Sequence, residues 1–62
     1  MFSHEKLKKR RLELNLTQSS IYQELDISRK TYSAWENGLA EPHAKNLRRL
    51  ATCLKVQENY FV

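Results

Sequence analysis

Glycine and proline are almost missing from this chain: Gly38 and Pro42 are the single copies in 62 residues. A β-protein of this size needs several tight turns, which draw on Gly, Pro or Asn-Gly. Their scarcity, beside long Leu/Lys/Arg/Glu/Gln stretches that favour helix, predicts an all-α fold. Cys53 is the one cysteine, so no internal disulfide can form. His4, His43 and Cys53 do not include the close-spaced pair from which a zinc site starts, and no metal is expected. No apolar run approaches the roughly 18 residues that a membrane span needs. The opening Met1-Phe2-Ser3-His4-Glu5-Lys6 lacks the apolar region of a secretory signal. A glycine-rich phosphate loop and a paired-carboxylate cleft are also absent, and so short a chain encloses little substrate. The expectation is a cytoplasmic protein held by packing alone, with no catalysis, cofactor, small-molecule ligand or membrane.

What is present has ordinary globular proportions, 40% hydrophobic and 29% charged. The length suits one small domain over residues 1–62, burying only about 60% of the surface of its unfolded form. Lys and Arg number 11 against 7 Asp and Glu, leaving a net charge of +4 and a pI near 9.5. A basic balance of that size points to a polyanion, most often nucleic acid.

Cap signals divide the chain. Ser3 can cap a first helix running to Leu14, with Leu7, Arg11 and Leu14 on one face, Leu12 beside them, and Asn15 as a left-handed terminator. Thr17 opens a second helix through Leu25, with Leu16 and Ile21 at the staple positions. The same device repeats at Ser28, with Ile27 and Tyr32, opening a third helix that ends at Asn37 before Gly38. The short Asp26-Ile27-Ser28 link forces the second and third helices into a sharp crossing. A fourth helix over about His43 to Leu54 carries the stripe Leu47, Leu50, Ala51 and Leu54. Cys53 lies beside that stripe, where a small buried residue is expected. A last turn spans Gln57 to Val62.

Helix 3 carries the functional argument. Tyr32, Trp35 and Glu36 fall on one face at i, i+3 and i+4; Arg29, Lys30 and Ser33 fall on the other, with Asn37 one turn beyond Ser33. The second face is polar, basic at its N-terminal end and rich in hydrogen-bond donors. A short helix of that kind, held by a preceding helix across a tight turn, suits the DNA major groove, where residues near the helix N-terminus reach base edges. Arg29 and Lys30 are the leading base-readers. Glu36, if buried with Tyr32 and Trp35, needs a partner. Arg11 on the apolar stripe of helix 1 is the best candidate, so an Arg11–Glu36 ion pair is expected.

Three segments resemble a known family. Arg11-Leu12-Glu13-Leu14-Asn15-Leu16-Thr17-Gln18 is similar to the junction of helices 1 and 2 in phage-repressor and Cro-type helix-turn-helix domains, the xenobiotic-response-element family of bacterial regulators. Ile27 through Gly38 is similar to their recognition helix. Pro42, Leu47, Leu50-Ala51 and Leu54-Lys55-Val56 resemble their fourth helix. The resemblance implies a compact, lambda-repressor-like bundle of five short helices, with helices 2 and 3 forming the helix-turn-helix. It implies a cytoplasmic, sequence-specific regulator of transcription, repressor-like, that binds double-stranded operator DNA as a homodimer. On this analogy Ser28, Arg29, Lys30, Ser33 and Ala34 face the bases, while Thr17, Gln18, Thr31, Asn37 and Lys45 contact phosphates. The loop after Gly38 also approaches phosphate. The chain ends at Phe61-Val62, as the N-terminal part of a longer regulator would.

Four residues depart from the family pattern: Tyr22 stands for the usual Ala, Asp26 and Lys55 for Gly, and Ser20 for the Glu of a capping box. Val56, Tyr60 and Phe61 are candidates for a dimer surface, although capping the core suits Val56 and Phe61 better. The competing function is a protein-interaction adaptor that keeps the fold without specific DNA binding.

Overall fold

Three helices start on a hydroxyl. In the computed structural model, which describes all 62 residues, Ser3 Oγ accepts from the Lys6 amide at 3.3 Å. Thr17 Oγ1 accepts from the Ser20 amide at 3.1 Å, and Ser28 Oγ from the Thr31 amide at 3.0 Å. Each bond satisfies an amide that the first helical turn leaves without a partner. These caps open α1 (His4–Glu13), α2 (Gln18–Glu24) and α3 (Arg29–Glu36). Ser20 does not take over the carboxylate's role in a capping box, which is to accept from the N-cap amide; its hydroxyl donates instead to the Thr17 carbonyl at 2.8 Å. His43 precedes α4 (Ala44–Cys53) without a side-chain cap bond. The all-α bundle therefore consists of four α-helices and a closing 3-10 turn, Glu58–Phe61.

All four α-helices also end alike. Asn15, Asp26, Gly38 and Lys55 take left-handed φ values of 57°, 55°, 76° and 59°. The apolar residue that follows each one, Leu16, Ile27, Leu39 and Val56, sends its amide back into the helix. The acceptors are the carbonyls of Arg11 (3.1 Å), Tyr22 (3.0 Å), Ala34 (2.9 Å) and Ala51 (3.0 Å). This is the Schellman ending, in which a reversed residue lets the chain satisfy the helix's last carbonyls. Asp26 and Lys55, both at positions where the family pattern has glycine, adopt the glycine conformation nonetheless. For an L-residue that conformation costs about 1–2 kcal/mol.

The core is formed by Leu7, Ile21, Leu25, Tyr32, Trp35, Leu50, Ala51, Leu54 and Phe61. Packing places α1 and α2 against α3, α2 against α4, and the 3-10 turn against α1 and α4. Phe61 is fully buried and stacks on Phe2 at a centroid distance of 5.4 Å. It belongs to the core, and this removes it from any dimer surface. Val56, Tyr60 and Tyr22 are half-buried against the same core. Leu14, Leu47 and Cys53, expected on buried stripes, are only half-buried, because they lie at the margins of their helices' inward faces. Leu12 is 54% exposed.

Backbone reversal is therefore a testable constraint. A Cβ built on Gly38 would stand 3.0 Å from Cε1 and Nδ1 of His4, in addition to the left-handed strain. Gly38→Ala is expected to lower stability by about 1–2 kcal/mol. Lys55→Gly should raise it by up to about 1 kcal/mol, a melting shift of about 4–8 °C in a domain this small. Thermal denaturation checks both; a Lys55→Gly protein that melts below the parent would contradict the strain.

Candidate nucleic-acid interface

A buried carboxylate is where the three N-terminal helices meet. Glu36 is 5% exposed and Arg11 8%. Arg11 grips the carboxylate with two donors, Nε to Oε2 at 2.6 Å and Nη2 to Oε1 at 3.1 Å. Gln18 Nε2 donates to Oε1 at 3.0 Å, and the Tyr32 hydroxyl donates to Oε2. The remaining Arg11 amine, Nη1, donates to the Leu16 carbonyl at 2.9 Å in the link between α1 and α2. No buried side-chain nitrogen or oxygen is left without a partner.

Burial by itself would raise the Glu36 carboxyl. Hydrogen bonds from Arg11, Tyr32 and Gln18, together with the Arg11 charge, outweigh it and hold the group below the usual carboxylate value. Tyr32 is pushed far up, first by burial and then by its bond to Glu36, so it stays a hydroxyl donor. The Arg11 guanidinium is held more firmly protonated by its hydrogen bond to Glu36.

This cluster holds the inward face of α3, and so the opposite face points away from the protein. A shallow hollow runs along it, lined by Arg29, Lys30, Ser33, Ala34, Asn37 and Leu39. Arg29 and Lys30 are exposed and enter no ion pair; the pairs lie elsewhere, at Arg10–Glu13, Arg11–Glu36 and Arg48–Glu58. They stand at the N-terminal end of α3, where the helix dipole adds partial positive charge. The face offers donors and positive charge, which suit phosphate oxygens and the acceptor atoms of bases.

The other expected contact residues are placed differently. Ser28 is committed to its cap and donates its hydroxyl hydrogen to Thr31 Oγ1 at 2.8 Å, which leaves the Thr31 hydroxyl hydrogen as the outward donor. Asn37 Nδ2 reaches Ser33 Oγ at 3.2 Å. Gln18 spends one amide hydrogen on Glu36, a tie that residue spacing gave no means of seeing. Thr17 and Lys45 are exposed but do not line the hollow. Leu39 does line it; its loop was expected near phosphate, with no role for its side chain, and the available signal was a large apolar residue directly after the helix-ending Gly38.

Cys53 lies in a separate surface groove beside Leu16, Ile21, Glu24 and Arg49. Burial, then the Glu24 charge, pushes its thiol up, away from the reactive thiolate.

A family model described as helix-turn-helix matches residues 7–61. A protein of Bacillus subtilis (strain 168), named as the uncharacterized HTH-type transcriptional regulator YqaE, is 40% identical over all 62 residues. The chain spans 53% of that relative's length. No solved structure matches the chain.

The carboxylate cluster makes stability depend on acid. Because the folded state holds Glu36 below its ordinary value, the stabilisation is complete above about pH 4.3 and drains away as pH falls further. Glu36→Gln should cost about 3–5 kcal/mol at neutral pH, since it strands Arg11, and should flatten the acid limb. Urea unfolding between pH 7 and pH 3 measures both. Parent-like stability and parent-like acid dependence in Glu36→Gln would contradict this account.

Proposed function

Because this chain belongs to the Cro/C1-type helix-turn-helix family, we propose that residues 1–62 are the DNA-binding domain of a cytoplasmic bacterial or phage transcriptional regulator. It acts as a repressor, laying α3 in the major groove of a specific operator. The observation that carries this reading is the unpaired, exposed Arg29 and Lys30 at the start of a helix whose other face is buried. The printed description of YqaE as a transcriptional regulator supports it.

Arg29 and Lys30 read guanine O6 and N7, the acceptors that the major groove presents at that base. Ser33 and Ala34 follow along the same face, and Ser28 stands at its entry. Thr17, Gln18, Thr31, Asn37 and Lys45 hold the phosphate backbone, which sets register without reading sequence. The longest dimension of the molecule is 23 Å, shorter than the roughly 34 Å of one DNA turn. One copy therefore covers one half-site, and two copies bind as a homodimer on half-sites about 10 bp apart. Tyr60 and Val56, half-exposed at the end of the bundle, remain the candidate dimer contacts.

Selection of duplexes from a random pool, then fluorescence anisotropy across a salt series, tests the proposal. Affinity should fall steeply with salt, as phosphate contacts require. Arg29→Ala should lose about 1–3 kcal/mol of discrimination at one guanine position. Unchanged affinity and unchanged base preference would remove Arg29 from the readout. Failure to bind any duplex at low salt would favour a protein-interaction adaptor.

A further inference from the structure

The four Schellman endings put four apolar residues in equivalent positions, and the fold uses only three of them. Leu16, Ile27 and Val56 turn inward and pack against the core. Leu39, after α3, is 80% exposed. Its ordinary packing partner in such an ending is the side chain five residues back, and here that residue is Ala34, whose single methyl covers little of it. The loop is nevertheless held in place: the Leu39 and Ala40 amides both donate to the Ala34 carbonyl, at 2.9 and 3.3 Å.

Leu39 is thus a large apolar side chain fixed at the rim of the hollow whose other walls include Arg29, Lys30, Ser33 and Asn37. A leucine has neither charge nor donor for a phosphate, so the resemblance-based expectation that this loop meets the backbone gives it no task. The major groove edge of a base pair carries one apolar group, the 5-methyl of thymine. Exposed apolar surface beside donors aimed at base edges matches that group.

We propose that Leu39, with the methyl of Ala34, is a specificity-determining contact for a thymine 5-methyl group. This rests on the DNA-binding reading above and names a second element of its readout. The guanidinium and amine read acceptors near the N-terminus of α3; Leu39 reads a methyl beyond its C-terminus, so the preferred half-site holds a thymine at the end opposite the Arg29 contact.

The test is a thermodynamic cycle between protein and base. The best duplex recovered by selection is remade with each thymine in turn replaced by deoxyuridine, which removes only the methyl. The parent chain should bind one substituted duplex about threefold to fivefold more weakly, the loss expected for one buried methyl-sized group. Leu39→Ala should weaken binding to the unsubstituted duplex by a similar factor and be indifferent to uracil at that same position. Leu39 makes no core contact, so the variant should keep the parent's melting temperature.

Leu39→Lys serves as the control: it should lose the uracil sensitivity too. Uracil sensitivity that is equal in parent and variants at every position overturns the assignment while leaving DNA binding intact. A Leu39→Lys chain that binds more tightly with a steeper salt dependence and unchanged uracil sensitivity overturns it in favour of a phosphate-facing loop. A change in sedimentation with no change in DNA affinity overturns it in favour of a contact between copies. Failure of every duplex to bind the parent overturns the underlying reading as well.

Discussion

The carboxylate of Glu36 is the constraint on which the arrangement of α1, α2 and α3 depends. Charge does not enter a protein interior unless nearly all its hydrogen-bonding capacity is met. Here Arg11 supplies two donors, Tyr32 one and Gln18 one. Those donors come from three different helices, so satisfying one side chain fixes the relative position of all three. The net stabilisation of such a pair can be small, because desolvation offsets much of the attraction. What the pair contributes is uniqueness: a rotation of α3 about its axis would carry Glu36 away from Arg11, leave the buried guanidinium without its partner and turn Arg29 and Lys30 toward the core.

The rotation of α3 about its axis decides which of its side chains face outward. With Tyr32, Trp35 and Glu36 held inward, the outward residues follow from helical geometry alone. Their charge is unpaired, as is that of Lys8, Lys9, Lys45, Arg49 and Lys55, whereas Arg10 donates to the Leu54 carbonyl, Lys6 to that of Val62, Arg11 to Glu36, and Arg48 lies 3.8 Å from Glu58. Cations without internal partners keep their full attraction for an external polyanion and have no bond to break on binding. The same rigid frame carries Gln18, whose amide is oriented by the carboxylate that orients α3.

Helix ends supply the second principle of this fold. Each α-helix stops on a left-handed residue, followed by an apolar side chain. Only at Gly38 is that residue glycine. There the requirement is steric as well as conformational, since the His4 ring lies directly over the site. At Asn15, Asp26 and Lys55 the space is open enough for a side chain, and packing of the following residue on the core opposes the backbone strain. The exposed exception, Leu39, is the one that borders the hollow along the outward face of α3.

Much of this was legible in the chain itself. Ser3, Thr17 and Ser28 mark three helix starts because a hydroxyl at a cap acts locally, through an amide three residues on. The inward faces of α1 and α3 could be read because helical spacing determines which residues share a side, and this brought Arg11 and Glu36 into consideration together. Contacts between residues distant in sequence were not legible. Nothing local told that Gln18 would join the carboxylate, that Phe61 would be sealed against Phe2, or that Leu47 and Cys53 would sit at the rim. Nor did it tell which apolar helix-end residue would stay outside. Spacing and capping chemistry act within a few residues and are written in the order of the chain; burial depends on which surfaces the packed helices leave uncovered, and only the tertiary structure decides that.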